Sequence, residues 1–209
     1  MIKVKICGIC HELEVGIMNE LIPDYVGFVF LPKSRHFIAP EHAGLLRSKL
    51  RKGIQTVGVF ANSSLKSVAM SAEVAGLNLI QLHGDETGEY IAALREYTRC
   101  KIIKVYKVAN KIDAEKAMYS TADYVMLDGG SAGDGKIFDW SLIGKLHRKY
   151  FLSGGLTPDN VEQALALASQ PYALNVNSGV EANKTKDYRK VMKFISSVRN
   201  FKGQKAVSM

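Results

Sequence analysis

Cysteine is scarce in this chain, with three residues among 209, namely Cys7, Cys10 and Cys100. So small and odd a number argues against a disulfide framework, and because we find no secretory signal we expect a reducing environment and a cytoplasmic location. Cys7 and Cys10 have the C-x2-C spacing of many zinc sites, but no second pair of cysteines or histidines stands at structural-zinc spacing elsewhere. We therefore expect no metal.

Long apolar runs are also missing, since none approaches the roughly 18 residues that would suggest a membrane span. The net charge is +8, from 28 basic and 20 acidic residues. The basic residues are scattered along the chain, which predicts a solvated surface that also attracts an anionic substrate, and argues against a nucleic-acid or membrane partner.

Eight short runs rich in apolar and β-branched residues recur along the chain, each followed by a polar segment with helical periodicity. This alternation predicts a parallel sheet. The predicted strands are 3–7, 25–30, 56–60, 79–83, 101–106, 124–128, 150–153 and 173–177. Eight such units predict a single (βα)8 TIM barrel of near-minimal length; an open doubly wound sheet would carry a glycine-rich turn after its first strand.

The barrel leaves no length for a second domain. We expect it to cover residues 1–202, and residues 203–209, which lack periodicity, to form a frayed tail. Helix-start signals agree with the strand–helix alternation: Pro40-Glu41 before the second helix, Asn62-Ser63-Ser64 before the third and Thr157-Pro158-Asp159 before the seventh.

Catalytic side chains of such a barrel lie where its strands end. Cys7 closes the first strand, where a thiolate could take a proton from carbon, although a buried inert thiol is the commoner case. Asp128 closes the apolar sixth strand, where an acid is costly to bury without a role; it could act as a general acid or cap a loop.

Glycine-rich turns follow the last two strands, at Gly154-Gly155 and at Ser178-Gly179. Each could simply make a tight turn, but two on neighbouring strands favour a phosphate held by backbone N–H groups, and thus a small phosphorylated metabolite as substrate. We expect His83 to contact that substrate. Arg35 could pair with a substrate carboxylate or be a solvated charge.

Seven motifs occur in an order that is specific when they are taken together. They are Val4-Lys5-Ile6-Cys7-Gly8-Ile9, Gly27-Phe28-Val29-Phe30 with Pro32-Lys33-Ser34, Val57-Gly58-Val59-Phe60, Gln81-Leu82-His83-Gly84-Asp85, Gly135-Lys136 before Phe138-Asp139-Trp140, Leu152-Ser153-Gly154-Gly155-Leu156 with Pro158 and Asn160-Val161, and Asn177-Ser178-Gly179-Val180-Glu181. Nearly end to end, the chain resembles the phosphoribosylanthranilate isomerases, (βα)8 enzymes of tryptophan biosynthesis.

The resemblance implies an Amadori rearrangement of N-(5-phosphoribosyl)anthranilate to 1-(2-carboxyphenylamino)-1-deoxyribulose 5-phosphate, without a cofactor, by a monomer or homodimer. It implies that Asp128 is the general acid that opens the sugar ring and that Cys7 is the base that removes the C2 proton. Phe30 and Leu156 could pack the anthranilate ring, with the phosphate on the turns at Gly154-Gly155 and Ser178-Gly179.

The chain departs from the family pattern in four loops, the first of which reads Gly8-Ile9-Cys10 where the family has Gly-Ile-Thr. The family's Ser-Pro-Arg reads Ser34-Arg35-His36, so Arg35 is the candidate for the anthranilate carboxylate and His36 the alternate. The sixth loop gains an acid, Asp134, which would repel a phosphate there. In the last loop a Pro-Gly is missing from 183–187.

Two rival functions remain. An aminoaldose isomerase of histidine biosynthesis performs the same chemistry on a larger bisphosphate, but that family generally uses an aspartate where this chain has Cys7. A phosphate-metabolite-binding or RNA-binding barrel would exploit the positive charge, but no basic stripe interleaved with aromatics supports it. Neither a histidine nor a lysine adjacent to Cys7 in sequence explains how its thiol would be activated, so that help must come from the fold or the substrate.

Overall fold

Eight parallel strands, hydrogen-bonded in chain order and closed by the pairing of the eighth with the first, form a barrel in a computed structural model of the chain. The structure describes residues 1–129, 137–144, 146–167 and 169–201. The strands are β1 Lys3–Cys7, β2 Tyr25–Val29, β3 Gln55–Phe60, β4 Leu79–Leu82, β5 Lys101–Lys107, β6 Tyr124–Asp128, β7 Tyr150–Leu152 and β8 Ala173–Val176. Each begins and ends within one residue of its predicted bounds, so the predicted TIM barrel is confirmed.

In the residues that the structure describes, seven α-helices pack around the strands. They are α1 Glu12–Leu21, α2 Pro40–Ser48, α3 Leu65–Val74, α4 Gly88–Leu94, α5 Lys111–Met118, α6 Val161–Leu165 and α7 Tyr188–Asn200. As predicted, Pro40 opens α2 and the Ser64 hydroxyl caps α3 by accepting from the N–H of Ser67. Across the described residues, none of the helices combines the length and the apolar character needed to cross a membrane.

Between β6 and β7 the sequence predicts a sixth helix, and the structure describes only part of this segment. Its described residues form a 3-10 turn, Trp140–Ile143, which Asp139 caps by accepting from the N–H of Ser141. Gly144 follows with φ at 58°, a conformation that ends the turn after four residues. The predicted acid at Asp134 and the predicted tail at 203–209 both lie outside the described residues.

The barrel interior changes character along its axis. Near the beginnings of the strands it is filled by apolar side chains, namely Tyr25, Val57, Leu79, Ile103, Val105, Tyr124, Met126, Phe151 and Ala173. Because successive strand residues face opposite sides, Lys5 and Cys7 share the inner face of β1, while Val4 and Ile6 pack outward under the helices. Polar side chains therefore replace apolar ones towards the ends of the strands.

A short hairpin follows β8 and leads into α7. Its strands are β9 Glu181–Ala182 and β10 Thr185–Lys186, joined by Asn183 and Lys184, both with positive φ. Two such residues make the tight turn that suits a two-residue hairpin loop. This hairpin stands where the family pattern has Pro-Gly, and it carries Glu181 and Lys186 to the rim of the barrel.

Candidate active site

A cavity of about 900 Å³ opens at the ends of the strands. All eight side chains or glycines predicted for the site line it: Cys7, Arg35, His83, Asp128, Gly154, Gly155, Ser178 and Gly179. The structure thus brings together residues from six of the eight strand ends. No group of three or more metal-ligating side chains occurs in the ranges that the structure describes.

Cys7 is the last residue of β1 and is buried, with 6% of its surface exposed. Gly8 turns the chain away from the strand at φ 80°, and a side chain there would collide with Asn177 and His36. The backbone N–H groups of Gly8 and Ile9 both donate to the Gly27 carbonyl at 2.9 Å, which fixes this turn. The thiol therefore lines the cavity on a backbone that these hydrogen bonds hold in place.

Asp128 ends β6 and belongs to a chain of hydrogen bonds that runs along one side of the barrel, through the neighbouring strands β6, β7, β8 and β1. The Ser153 hydroxyl donates to Asp128 Oδ2 at 2.9 Å, and Asn175 Nδ2 donates to that hydroxyl at 3.0 Å. The ammonium of Lys5 donates in turn to Asn175 Oδ1 at 2.8 Å. Sequence reasoning missed Lys5 and Asn175 as site residues, although their places on β1 and β8, two residues before Cys7 and Asn177, were a usable signal.

His83 follows β4 directly, and its side chain meets Gln81 and the cavity. Gln81 Nε2 lies 3.3 Å from His83 Nδ1, so that ring atom accepts and the ring proton is on Nε2. Burial lowers the pKa of His83, although the charge of Asp128 acts in the opposite direction. The lowered pKa keeps the ring neutral. Nε2 of His83 and Oε1 of Gln81 are buried without a hydrogen-bond partner among the residues described.

Arg35 and His36 are both held by Glu181. That carboxylate accepts from Arg35 Nη2 at 2.5 Å, from His36 Nε2 at 2.8 Å and from Lys186 Nζ at 2.6 Å. Burial by itself would raise the pKa of Glu181, but the hydrogen bonds from His36 and Lys186 outweigh it and lower the pKa to about 2. The His36 side chain is buried by this contact, whereas Arg35 is 45% exposed and keeps further N–H groups.

The turn after β7 exposes backbone to the cavity. Gly154 and Gly155 have φ of 93° and 63°, which glycine adopts without strain. Asn160 holds the turn by donating to the Gly155 carbonyl at 2.8 Å and accepting from the N–H of Thr157 at 2.8 Å. Within the described chain, neither glycine donates its N–H to an acceptor.

The turn after β8 adds a second set of N–H groups. Ser178–Val180 form a 3-10 turn, and the first N–H groups of any helical turn have no partner inside it. Gly179 lies so close to the Leu156 carbonyl that a side chain would overlap it, so the two turns are in contact. Together they present a concave, N–H-rich edge of the kind that binds anions.

The other wall of the cavity is apolar and is formed by Val29, Leu31 and Val59. The expectation that Phe30 would pack a ligand ring is wrong, because Phe30 faces outward and stacks on Phe60 with centroids 5.0 Å apart. Leu156 also lines the cavity, but beside the two glycine turns, and its contact with a ligand ring stays a prediction. One side of the cavity therefore suits an aromatic ring and the opposite side suits an anion.

Comparisons with known proteins agree with this geometry. The family described as N-(5'phosphoribosyl)anthranilate (PRA) isomerase matches residues 4–197. An N-(5'-phosphoribosyl)anthranilate isomerase of Clostridium kluyveri is 39% identical over 204 residues, covering 97% of this chain and all of that protein.

Solved structures give the same result. A phosphoribosyl anthranilate isomerase from Thermotoga maritima matches with a TM-score of 0.88 and 38% identity, covering 96% of this chain and 100% of that one. A phosphoribosyl anthranilate isomerase in complex with reduced 1-(o-carboxyphenylamino)-1-deoxyribulose 5-phosphate matches with a TM-score of 0.85, 37% identity and the same coverage. The chain belongs to the N-(5'-phosphoribosyl)anthranilate isomerase family.

Proposed function

We propose that this chain converts N-(5-phosphoribosyl)anthranilate to 1-(2-carboxyphenylamino)-1-deoxyribulose 5-phosphate, the Amadori rearrangement of tryptophan biosynthesis. Membership of the family supports this activity, as does the reduced product held by a related structure. The observation that carries the proposal is that Cys7 and Asp128, from β1 and β6, line one cavity with the two glycine turns. The reaction is an internal proton transfer, so acid–base side chains suffice and we propose that no cofactor takes part.

Asp128 is the general acid. It protonates the ring oxygen of the phosphoribosyl group, the C1–O bond breaks, and the furanose opens to a Schiff base. The Ser153 hydroxyl already donates to Oδ2 of Asp128, so the carboxylate left after proton transfer keeps a hydrogen-bond donor. The proton itself must then leave from the other oxygen, Oδ1.

Cys7 is the general base. Its thiolate removes the proton on C2 of the opened sugar, and the electron pair of the C–H bond moves to give an enolamine. Protonation at C1 and loss of the hydroxyl proton at C2 then give the ketone. The position of Cys7 in the cavity, on backbone that hydrogen bonds hold in place, supports this role, because proton abstraction from carbon requires a fixed approach.

The two ends of the substrate fit the two sides of the cavity. We assign the phosphate to the N–H groups of Gly154, Gly155, Ser178 and Gly179, and the anthranilate ring to the apolar wall. Arg35 meets the anthranilate carboxylate, because it is exposed to the cavity and has N–H groups beyond the one that Glu181 engages. The neutral His83 lies beside the sugar, because it lines the cavity between these two ends.

The wider assignments stay predictions. They are a single domain over 1–202, a monomer or homodimer, a cytoplasmic location and the absence of a nucleic-acid partner.

The test of the activity is a fluorescence assay at physiological salt with purified protein and N-(5-phosphoribosyl)anthranilate, whose fluorescence disappears on conversion. We expect cofactor-free turnover of this substrate and none of the larger bisphosphate aminoaldose of histidine biosynthesis. Turnover of the bisphosphate alone, or salt-sensitive retention on RNA without isomerisation, would overturn the proposal.

A further inference from the structure

Lys5 is a buried cation of an unusual kind in this barrel. Its side chain extends from β1 into the barrel interior and is fully buried. The two other buried lysines each pair with a carboxylate, Lys104 with Glu86 at 3.0 Å and Lys186 with Glu181 at 2.6 Å. In the described part of the chain Lys5 has no acidic group within ion-pair distance, and its ammonium donates only to the amide oxygen of Asn175. Burying an ammonium in this way is costly unless something else uses its charge.

The Cys7 thiol also lies close to the Lys5 ammonium. Lys5 and Cys7 share the inner face of β1, and Cys7 lies in register with Gly27 of β2. A Cβ atom at Gly27 would lie 2.6 Å from the Cys7 sulfur and 3.0 Å from the Lys5 nitrogen. The two atoms are therefore no farther apart than the sum of these distances. That is within the range of about 4 to 6 Å in which an opposite charge favours the charged form of a group.

Lys5 also controls the direction of the hydrogen bonds that end on Asp128. Because it donates to Oδ1 of Asn175, the amide must present its NH2 group to Ser153. The Ser153 hydroxyl then accepts from Asn175 and has one proton left, which it donates to Asp128. Reversing the amide would leave the ammonium facing another donor.

We propose that Lys5 is a positioning residue for both catalytic groups: its ammonium is the counter-ion of the Cys7 thiolate, and through Asn175 and Ser153 it fixes the donor on Asp128. The catalytic part of this inference rests on the proposed function. The stabilisation of the Cys7 thiolate by the Lys5 ammonium can be tested without substrate. Lys5 supplies the activation that the residues directly adjacent to Cys7 in sequence do not explain.

The experiment measures the rate at which iodoacetamide alkylates Cys7 as a function of pH, by mass spectrometry, in a Cys10→Ser, Cys100→Ser background. The thiol lines an open cavity and is reached without unfolding. In Lys5→Met we expect the midpoint of the alkylation profile to move up by at least about one pH unit, with about tenfold slower alkylation at neutral pH. Lys5→Arg should stay near the parent midpoint.

The matched control is Lys104→Met, which removes another buried strand lysine and should leave the Cys7 profile unchanged. With substrate, we expect Lys5→Met to lower kcat while KM changes little, because the residue does not touch the substrate. An unchanged alkylation midpoint in folded Lys5→Met, judged by circular dichroism, would overturn the inference. A shifted midpoint in a chain that lacks isomerase activity would instead sink the proposed function and leave the Lys5–Cys7 relation standing.

If Lys5→Met does not fold, Asn175→Asp decides. This variant keeps the size of residue 175 and gives Lys5 a carboxylate partner, so the ammonium is no longer available to the thiolate. We expect the Cys7 midpoint to rise here too. No rise in folded Asn175→Asp would contradict the proposal.

Discussion

At the end of the barrel where the strands begin, aromatic rings fill the interior: Tyr25, Tyr124, Phe151 and Tyr172 lie with neighbouring centroids between 5.2 and 5.8 Å apart. Lys3 and Lys149 cover this floor with ammonium groups 5.5 and 5.4 Å from the Tyr172 ring. At the opposite end, the same strands carry Cys7, Asp128 and a polar chain around a cavity.

The difference shows how one set of strands serves two ends. The floor is closed by packing, so its side chains have ring partners and no space for a ligand. The opposite end, which we call the mouth, is held by hydrogen bonds, and some of its donors, acceptors and backbone N–H groups have no partner among the described residues. Changes at the mouth should therefore cost activity, and changes at the floor should cost stability.

The largest effect is expected at the mouth, from Asp128→Asn. An amide cannot protonate the ring oxygen, so we expect kcat/KM to fall by about 10²- to 10⁴-fold, the usual contribution of a general acid. Steady-state fluorescence assays measure this, with Ser153→Ala as a milder companion that keeps the acid and loses its donor. Wild-type turnover by folded Asp128→Asn would remove Asp128 from the mechanism.

At the floor, Phe151→Ala should destabilise the protein by about 3 to 5 kcal/mol, the usual cost of deleting a fully buried ring. Phe151 contacts three neighbouring rings but does not line the cavity, so kcat of the folded protein should stay within a few-fold of the parent. Urea unfolding and an activity assay on the same sample separate the two quantities. A large loss of kcat without loss of stability would break the distinction between the two ends.

Within the mouth, Arg35→Ala should raise KM by about tenfold and leave kcat little changed, because it removes one charge-assisted contact to the anthranilate carboxylate. His36→Gln should have the smaller effect on KM, since the Nε2 of His36 is already engaged by Glu181. The opposite ranking would assign the carboxylate to His36.

The smallest effect concerns pH. The pKa of Glu181 is lowered from 4.5 to about 2, so its ionised form stabilises the native state above pH 4.5, and that contribution is lost as the pH falls towards 2. Glu181→Gln should lower the urea midpoint at pH 7 and narrow the difference from the parent at pH 3. Glu12→Gln, which removes an exposed partner of Lys49, is the control and should change neither. A Glu181→Gln deficit that is the same at both pH values would contradict the assignment.

The strand positions and the ends that carry the catalytic candidates were readable in the sequence, because buried parallel strands are continuous apolar runs and a polar residue such as Asp128 marks where one stops. The same continuous apolar run led to the wrong prediction that Phe30 faces the ligand. A run without alternation does not say which side chains face inward, and the structure turns Val29 to the cavity and Phe30 away from it.

The hydrogen bonds between polar side chains of different strands were harder to predict from the sequence. Lys5 and Asn175 are 170 positions apart, and their hydrogen bond exists only because β8 closes the barrel against β1. The alternation of strand residues implies that Lys5 lies on the same face of β1 as Cys7. It could not show that Gly27 leaves both side chains room to approach, nor that Lys5 would have no carboxylate among the described residues.

The most direct test of the account is the single-turnover rate of Cys7→Ala, with enzyme in excess over N-(5-phosphoribosyl)anthranilate so that product release plays no part. If Cys7 removes the C2 proton, the rate should fall by about 10²-fold or more while the protein stays folded and binds substrate. Conversion at the parent rate would contradict the account, because the proton would then leave to some other base.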